Sequence, residues 1–475
     1  MHPVILHGHF YQPPREDPWT DAVPREANAA PHHDWNERID AESYAPLARA
    51  SAYERLSFDF GPTLLVWLER AAPDTYAAIL GADRSSAERH GGHGNALASP
   101  YHHVILPLSD PRDRRTEIRW GIADFERRFG RRPDGMWLPE TAVDLPTLGA
   151  LRSEGVEFTV LAPHQIEPRP TDGRPVRVEL PNGEPITVFT YDGPLSHGIA
   201  FGGLLGDADA WIAAIVDRAD RDQLVATATD GETFGHHHRG SERTLADVLS
   251  ALESRDDIAL LNFGAALAAS PVTATARLVE PGSWSCSHGF ERWRGDCGCR
   301  MAPERTSQQR WRRPLRDALE WLAACLHERF EREARPLLGH PWAARDGYGA
   351  VVGAALEARR DFVLRFSADA GTDLGGEQLG RAIELLEMER DVLRMFTSCG
   401  WFFDDIAGLE TAQILRYAAH AIQLSGAREA LEDELVRRLA AAPGNTSEIP
   451  DAGVLYRERA RSVEVAVTSD PYRDE

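Results

Sequence analysis

The chain contains no lysine, so arginine carries its permanent positive charge, and it has only five cysteines in 475 residues. A small, odd number of thiols disfavours the disulfide framework of a secreted scaffold. No apolar run approaches the roughly 20 residues that a membrane-crossing helix needs, which excludes a helical span as an expectation. Clustered basic charge is missing too. The formal net charge is −22, and phosphate recognition needs basic side chains gathered on one face, so nucleic acid is not expected as a partner. The opening MHPVILHGHF has no basic leader, no signal-length apolar core and no small-residue cleavage site, and a cytoplasmic location is expected. Internal repeats and low-complexity tracts are also absent.

The acidic residues are spread along the whole length, leaving an acidic surface. Adaptation to concentrated salt, where the Debye length falls to about 3 Å at 1 M, accounts for this. Arginine-biased coding is the plainer explanation for the missing lysine, and neither bears on catalysis.

What is present reads as two textures. In the first half, short β-rich runs at Val4 to Leu6, His103 to Leu108, Met136 to Leu138, Glu157 to Leu161, Ile186 to Tyr191, Leu224 to Thr229 and Ile258 to Leu261 alternate with helical patterns. Those patterns include Thr63 to Leu80, Arg112 to Phe129 and Ala208 to Arg218. This rhythm predicts a parallel sheet wrapped by helices, an α/β fold of incomplete barrel type, with an open doubly wound sheet as the alternative. From about residue 300 strand signals stop, and long helical patterns run over Pro314 to Ala334, Arg359 to Phe366, Gly376 to Phe396 and Thr411 to Ala441. The expected domains are therefore a catalytic barrel over 1–285, an α-helical domain over 286–442 that opens on a cysteine-rich loop, and an extended acidic tail over 443–475.

Reacting groups of such barrels project from the loops that follow strands. The first strand runs into His7, Gly8, His9, Phe10, Tyr11 and Gln12 and on to Trp19, a density of polar and aromatic groups that no core requires. The run Gly135-Met136-Trp137-Leu138-Pro139-Glu140 sets a carboxylate just past a strand; capping of the next helix is the competing role for Glu140. The run Thr229-Asp230-Gly231-Glu232-Thr233-Phe234-Gly235-His236 supplies two more carboxylates. A retaining glycosidase needs a nucleophilic carboxylate and a proton-donating one about 5–5.5 Å apart, and neighbouring strand ends can provide them. Glu140 fits with Asp230 or Glu232, since alternation points the latter two the same way.

The histidines admit a zinc-dependent alternative, a deacetylase or mannosidase on a related barrel, with ligands drawn from His7, His9, His32, His33, His102, His103 and the run from His236. Spacing does not favour it, because no HExxH or paired Cys/His pattern occurs. Hydrogen bonding to sugar hydroxyls suits these histidines better, with Trp19, Trp35, Trp137 and Trp284 offering flat apolar faces. In the segment from Ser283 to Cys299, Trp284, His288 and Trp293 are candidate substrate contacts. The thiols of Cys286, Cys297 and Cys299 read there as buried loop groups, because Cys-x-Cys is not the usual Cys-x-x-Cys pairing of a zinc site. No metal and no cofactor is expected.

The strings HGHFYQPPREDPW, GMWLPETAVDLPTL, ATDGETFGHHH and SWSCSHGFERWRGDCGC, in this order, resemble the signature regions of glycoside hydrolase family 57, in the α-amylase-like branch with an extra C-terminal helical domain. The resemblance implies an incomplete (β/α)7 barrel followed by a mostly α-helical domain. It further implies a retaining mechanism without a required metal, acting on α-glucans, and so carbohydrate metabolism as the setting. It assigns Glu140 as nucleophile and Asp230 as general acid/base, and His7, His9, His236 and Trp284 as substrate contacts. The second signature region has only a weak counterpart at His93 to His103, which leaves hydrolysis, glucan transfer and branching all open.

Overall fold

The computed structural model describes residues 1–221, 224–301, 306–369, 371 and 373–461. The chain divides into two compact units: 1–14, 24–101 and 124–284 form the first, and 15–23, 102–123 and 285–475 the second. The helical region expected after residue 285 thus recruits two earlier segments that a single cut in the sequence does not assign to it.

The first unit is a parallel-strand α/β domain. Its strands are β1 (His2–Phe10), β2 (Ser57–Phe60), β3 (Ala96–Leu97), β4 (Gly135–Met136), β5 (Phe158–Leu161), β6 (Ile166–Glu167), β7 (Val176–Glu179), β8 (Pro185–Thr190), β9 (Val225–Asp230), β10 (Ile258–Leu260) and β11 (Thr275–Leu278). Strand β1 pairs in parallel with β2, β9 and β10, and β2 continues to β3. A second parallel run joins β4, β5 and β8. The runs meet at a parallel bridge between Ala98 and Met136, and again where the Asp192 N–H donates to the Ala226 carbonyl at 2.7 Å. The ring β1–β2–β3–β4–β5–β8–β9 therefore has seven parallel strands and two thin seams, as an incomplete barrel should. Strands β6, β7 and β11 build a sheet excursion beside β8, with β7 antiparallel to it.

Alternation within the strands decides what fills the barrel. One face of β1 carries Ile5, His7 and His9, and the matching face of β9 carries Ala226, Ala228 and Asp230. The apolar members join Leu97, Trp137, Phe158, Val160, Phe189 and Phe263 in one buried cluster. Each strand face thus passes from hydrocarbon to polar groups toward its carboxyl end, which is where a parallel barrel places chemistry.

Two expectations change here. His103 to Leu108 is not a strand: Leu106–Leu108 is a short 3-10 turn around Pro107, which has no N–H to give to a ladder. The ring position falls instead to β2, whose four residues are all buried. The helix expected over Thr63 to Leu80 is two, Pro62–Ala71 and Pro73–Arg89, because Pro73 keeps Ala72 out of the helical region.

The second unit is helical. Helices Arg312–Leu338, Gly376–Arg394, Leu409–Ser425 and Arg428–Leu439 dominate it. The last two were expected as one; Gly426, at φ 71°, ends the first in the left-handed region. Within this unit Arg345 bridges Asp113 at 2.7 Å and Glu389 at 2.8 Å, and His327 contacts both carboxylates. Of the stretch expected to be an extended tail, Ala452–Leu455 and Tyr456–Ala460 are helical, with Leu455 and Tyr456 fully buried. Residues 462–475 of that expectation lie outside the described residues. Among the described residues no helix is long and apolar enough to cross a membrane.

Candidate active site

The site forms at the carboxyl ends of three neighbouring strands. Register places His9 of β1 opposite Asp59 of β2 on one side and Asp230 of β9 on the other. His7 lies opposite Ser57 and Ala228. Asp59 is fully buried and pairs with both histidines, at 3.2 Å from His7 Nε2 and 2.9 Å from His9 Nδ1. His7 Nδ1 pairs with Ser57 Oγ at 3.1 Å.

These pairings set the charge states. Burial opposes the His9 cation, but the Asp59 carboxylate outweighs it, with help from Asp230 and Glu232, and lifts His9 to about 9. Asp59 is held below its usual range by the two histidines, against burial. His7 moves down, because burial outweighs its share of Asp59. Asp59 thus secures one imidazolium, at His9, beside the carboxylates of the site.

Asp230 is exposed by surface area, yet protein groups crowd its carboxyl and remove part of its hydration. That desolvation pushes its carboxyl up to about 7; His9 pulls it down, while Glu232, Glu140 and Asp59 push it further up. Glu232 is different. It is buried, it accepts from the Tyr44 hydroxyl and, at 3.1 Å, from the Tyr11 N–H, and burial raises its pKa. Alternation does not continue past Asp230, because Gly231–Thr233 forms a 3-10 turn. Gly231 is required there: a Cβ would lie 2.2 Å from the Phe10 ring.

Glu140 is half-buried at the end of β4. Trp284 grips it twice, its indole N–H donating to Oε2 at 3.0 Å and its backbone N–H to the Glu140 carbonyl at 2.9 Å. Glu140 has φ 58° and Thr141 φ 48°, left-handed conformations that non-glycine residues adopt at a cost. It does not cap the following helix; Asp144 does, accepting from the Thr147 N–H at 2.8 Å.

Trp137 is fully buried, with His7 stacked on it at 4.7 Å and His9 at 5.5 Å. It is a platform for the histidines rather than an open face for a sugar. Trp284, half-buried, meets Trp137 edge-on at 5.2 Å and keeps part of its surface open. Gln12 hydrogen-bonds Tyr44 through its side chain. His236 pairs with Glu42 at 2.5 Å and lies edge-on to Trp35. The structure therefore gathers His7, His9, Gln12, Trp137, Glu140, Asp230, Glu232, His236 and Trp284 in the first unit.

Three candidates belong to the second unit. The Trp19 indole donates to Gln423 Oε1 at 2.8 Å, Trp293 is fully buried in that unit's core, and His288 is exposed beside Cys299. Of the histidines considered as zinc ligands, His102 pairs with Glu117 and His103 with Ser398, again within the second unit. Sequence reasoning missed Asp59 and Tyr44. The only local trace of Asp59 is a polar and aromatic alternation, Ser57-Phe58-Asp59-Phe60, too short to stand out.

The fold and these strand ends define a parallel (β/α) barrel bearing a histidine and carboxylate site. Residues 80–265 match the sequence profile of glycosyl hydrolase family 57. Residues 308–469 match a domain of unknown function, DUF3536. A 4-alpha-glucanotransferase of Thermococcus litoralis is 26% identical over 185 residues, 38% of this chain and 27% of the relative. The chain thus matches about a quarter of the length of that curated relative. Among solved structures, an exo-type maltose-forming amylase from Pyrococcus sp. ST04 superposes with a TM-score of 0.71 at 16% identity, over 99% of this chain and 90% of that one. A GH57-type branching enzyme from Pyrococcus horikoshii gives 0.57 at 17% identity, over 100% and 97% of the two chains. At these identities the superpositions establish the shared fold.

Proposed function

We propose that the protein cleaves α-linked glucans with retention of configuration, through a glycosyl ester on Glu140 and with Asp230 as general acid/base. The observation that carries this reading is the placement of Asp230 at the end of β9, opposite His9 and beside Glu140 and two other carboxylates, a setting that pushes its carboxyl up to about 7. A carboxyl poised there keeps its proton in about half of the molecules at pH 7 and can hand it to a glycosidic oxygen.

In the first step the Asp230 proton passes to the leaving oxygen, the bond from that oxygen to the anomeric carbon breaks, and a Glu140 carboxylate oxygen bonds to the same carbon. In the second, Asp230 removes a proton from water or a sugar hydroxyl, whose oxygen attacks the anomeric carbon and frees Glu140. The Trp284 indole N–H donates to one Glu140 oxygen and so orients the carboxylate. The His9 cation offsets negative charge around Asp230, and the Glu232 to Tyr44 pair holds the loop after β9 in place.

Likeness to an amylase, a branching enzyme and a 4-alpha-glucanotransferase supports an α-glucan substrate, with water as the proposed acceptor. The zinc-dependent alternative is weaker, because among the described residues the donors close enough together to hold a metal are in the cysteine-rich loop and not at the barrel histidines. Separation of the products from maltoheptaose and from amylose tests the proposal. Shorter maltooligosaccharides alone support hydrolysis, longer linear chains indicate transfer, and new α-1,6 linkages indicate branching. No turnover of either glucan refutes it.

A further inference from the structure

The cysteine-rich loop of the second unit gathers four donors that the proposed reaction does not use. Cys286, His288, Cys297 and Cys299 each offer one atom, and the four atoms lie within 4.8 Å of one another. The Cys286 sulfur is 3.9 Å from that of Cys297 and 3.7 Å from that of Cys299, and the Cys299 sulfur is 3.6 Å from His288 Nδ1. A disulfide would bring one pair of sulfurs to about 2.05 Å and leave the third aside. A tetrahedral zinc ion with Zn–S near 2.3 Å and Zn–N near 2.05 Å requires edges of about 3.8 Å between sulfurs and about 3.6 Å from sulfur to nitrogen. The three edges at 3.6–3.9 Å match the second arrangement, and all four donor atoms stay within 4.8 Å of one another.

We propose that Cys286, His288, Cys297 and Cys299 form a structural Cys3His zinc site. The close spacing of the last two cysteines, which argues against a metal in sequence, is resolved by the backbone: Gly298 sits at φ 82°, and this left-handed residue turns the chain so that both neighbouring sulfurs reach one point. On binding, the three thiol protons pass to solvent, three Zn–S bonds and one Zn–N bond form, and no electron is transferred. Three thiolates around a divalent ion leave one net negative charge. The buried Arg312 guanidinium, 3.9 Å from the Cys297 sulfur, supplies the compensating positive one. Four protein donors leave no open position for a substrate, so the ion's role is to pin the loop. Gln309, which donates to the Cys299 carbonyl at 2.9 Å, ties that loop to the start of helix Arg312–Leu338.

The site stands independently of the carbohydrate reading, and its test reads metal rather than turnover. The full-length chain, produced with zinc present and then dialysed, is expected to carry one zinc per chain by elemental analysis. Cys297→Ser and Cys299→Ser are expected to lose it, while Cys325→Ser keeps it. Cobalt exchanged into the wild-type protein is expected to show the visible bands of a tetrahedral ion and a sulfur-to-metal charge-transfer band. Because the serine variants can misfold, thiol alkylation of the native chain serves as a second measurement. Three thiols should react roughly tenfold or more faster once a strong chelator is added. A chain without stoichiometric zinc, alkylation unaffected by chelator, a mapped disulfide within the loop, or equal zinc loss in Cys325→Ser each overturns the proposal.

Discussion

His9 Nδ1 lies 2.9 Å from Asp59 Oδ2, across the seam where two parallel strands hold the residues at the same register. The pair explains how a buried cation persists beside the carboxylates of Asp59, Asp230 and Glu232. It also fixes the direction in which each neighbour moves Asp230, and so makes the pH behaviour predictable.

Removing either proposed reacting carboxylate should abolish glucan turnover. Glu140→Gln and Asp230→Asn are each expected to lower kcat by about 10²–10⁴-fold or more, with folding intact by circular dichroism. Azide, a small nucleophile that needs no general base, is expected to restore part of the activity of Asp230→Ala and to give a glycosyl azide detectable by mass spectrometry. Wild-type rates in Glu140→Gln would refute its role.

The pH profile should report Asp230. The first step needs the acid protonated, so kcat/KM is expected to fall as pH rises through about 7. Glu232 pushes the Asp230 pKa up, so Glu232→Gln should move this alkaline limb to lower pH. His9 pulls it down, so His9→Gln should move the limb the other way. Shifts of the same sign in both variants would contradict the assignment.

Gly231→Ala should destabilise the barrel. The added methyl falls 2.2 Å from a Phe10 ring that is stacked on Phe60 at 4.5 Å and edged by Tyr44 and Tyr53, leaving it nowhere to move. Such overpacking costs about 1–3 kcal/mol, read as a lowered Tm. Phe10→Leu in the same chain should recover part of the loss.

The helical unit should lose stability in alkali. His327, held charged against burial by Glu389 and Asp113, titrates at about 10 instead of near 6.5. A raised folded-state pKa contributes stability that is complete below the unfolded value and is lost as pH climbs from about 6.5 through about 10. His327→Gln should flatten the decline of Tm across that window.

The candidate site was partly legible before folding. Glu140 and Asp230 end strands whose apolar runs are local, so strand, turn and carboxylate could be read together. The family strings then ranked Asp230 above Glu232. Asp59 could not be read this way, because it lies in a four-residue strand carrying an acid that β-propensity disfavours. Its importance comes from lying opposite His9, fifty residues distant in the chain. The Cys-x-Cys spacing argues against a metal because spacing carries no information about the left-handed turn at Gly298.

The alternating α/β half, the helical half and the motifs following β1, β4 and β9 are legible in the linear chain, because all of them depend on patterns within a few residues. Folding is what lets Asp59 keep His9 charged, ties Glu232 to Tyr44 while Asp230 is left to face the site, and brings four donors of one loop together. Those outcomes depend on cross-strand register, on long-range burial and on one left-handed backbone turn. None of these has a local periodicity by which a linear sequence could announce it.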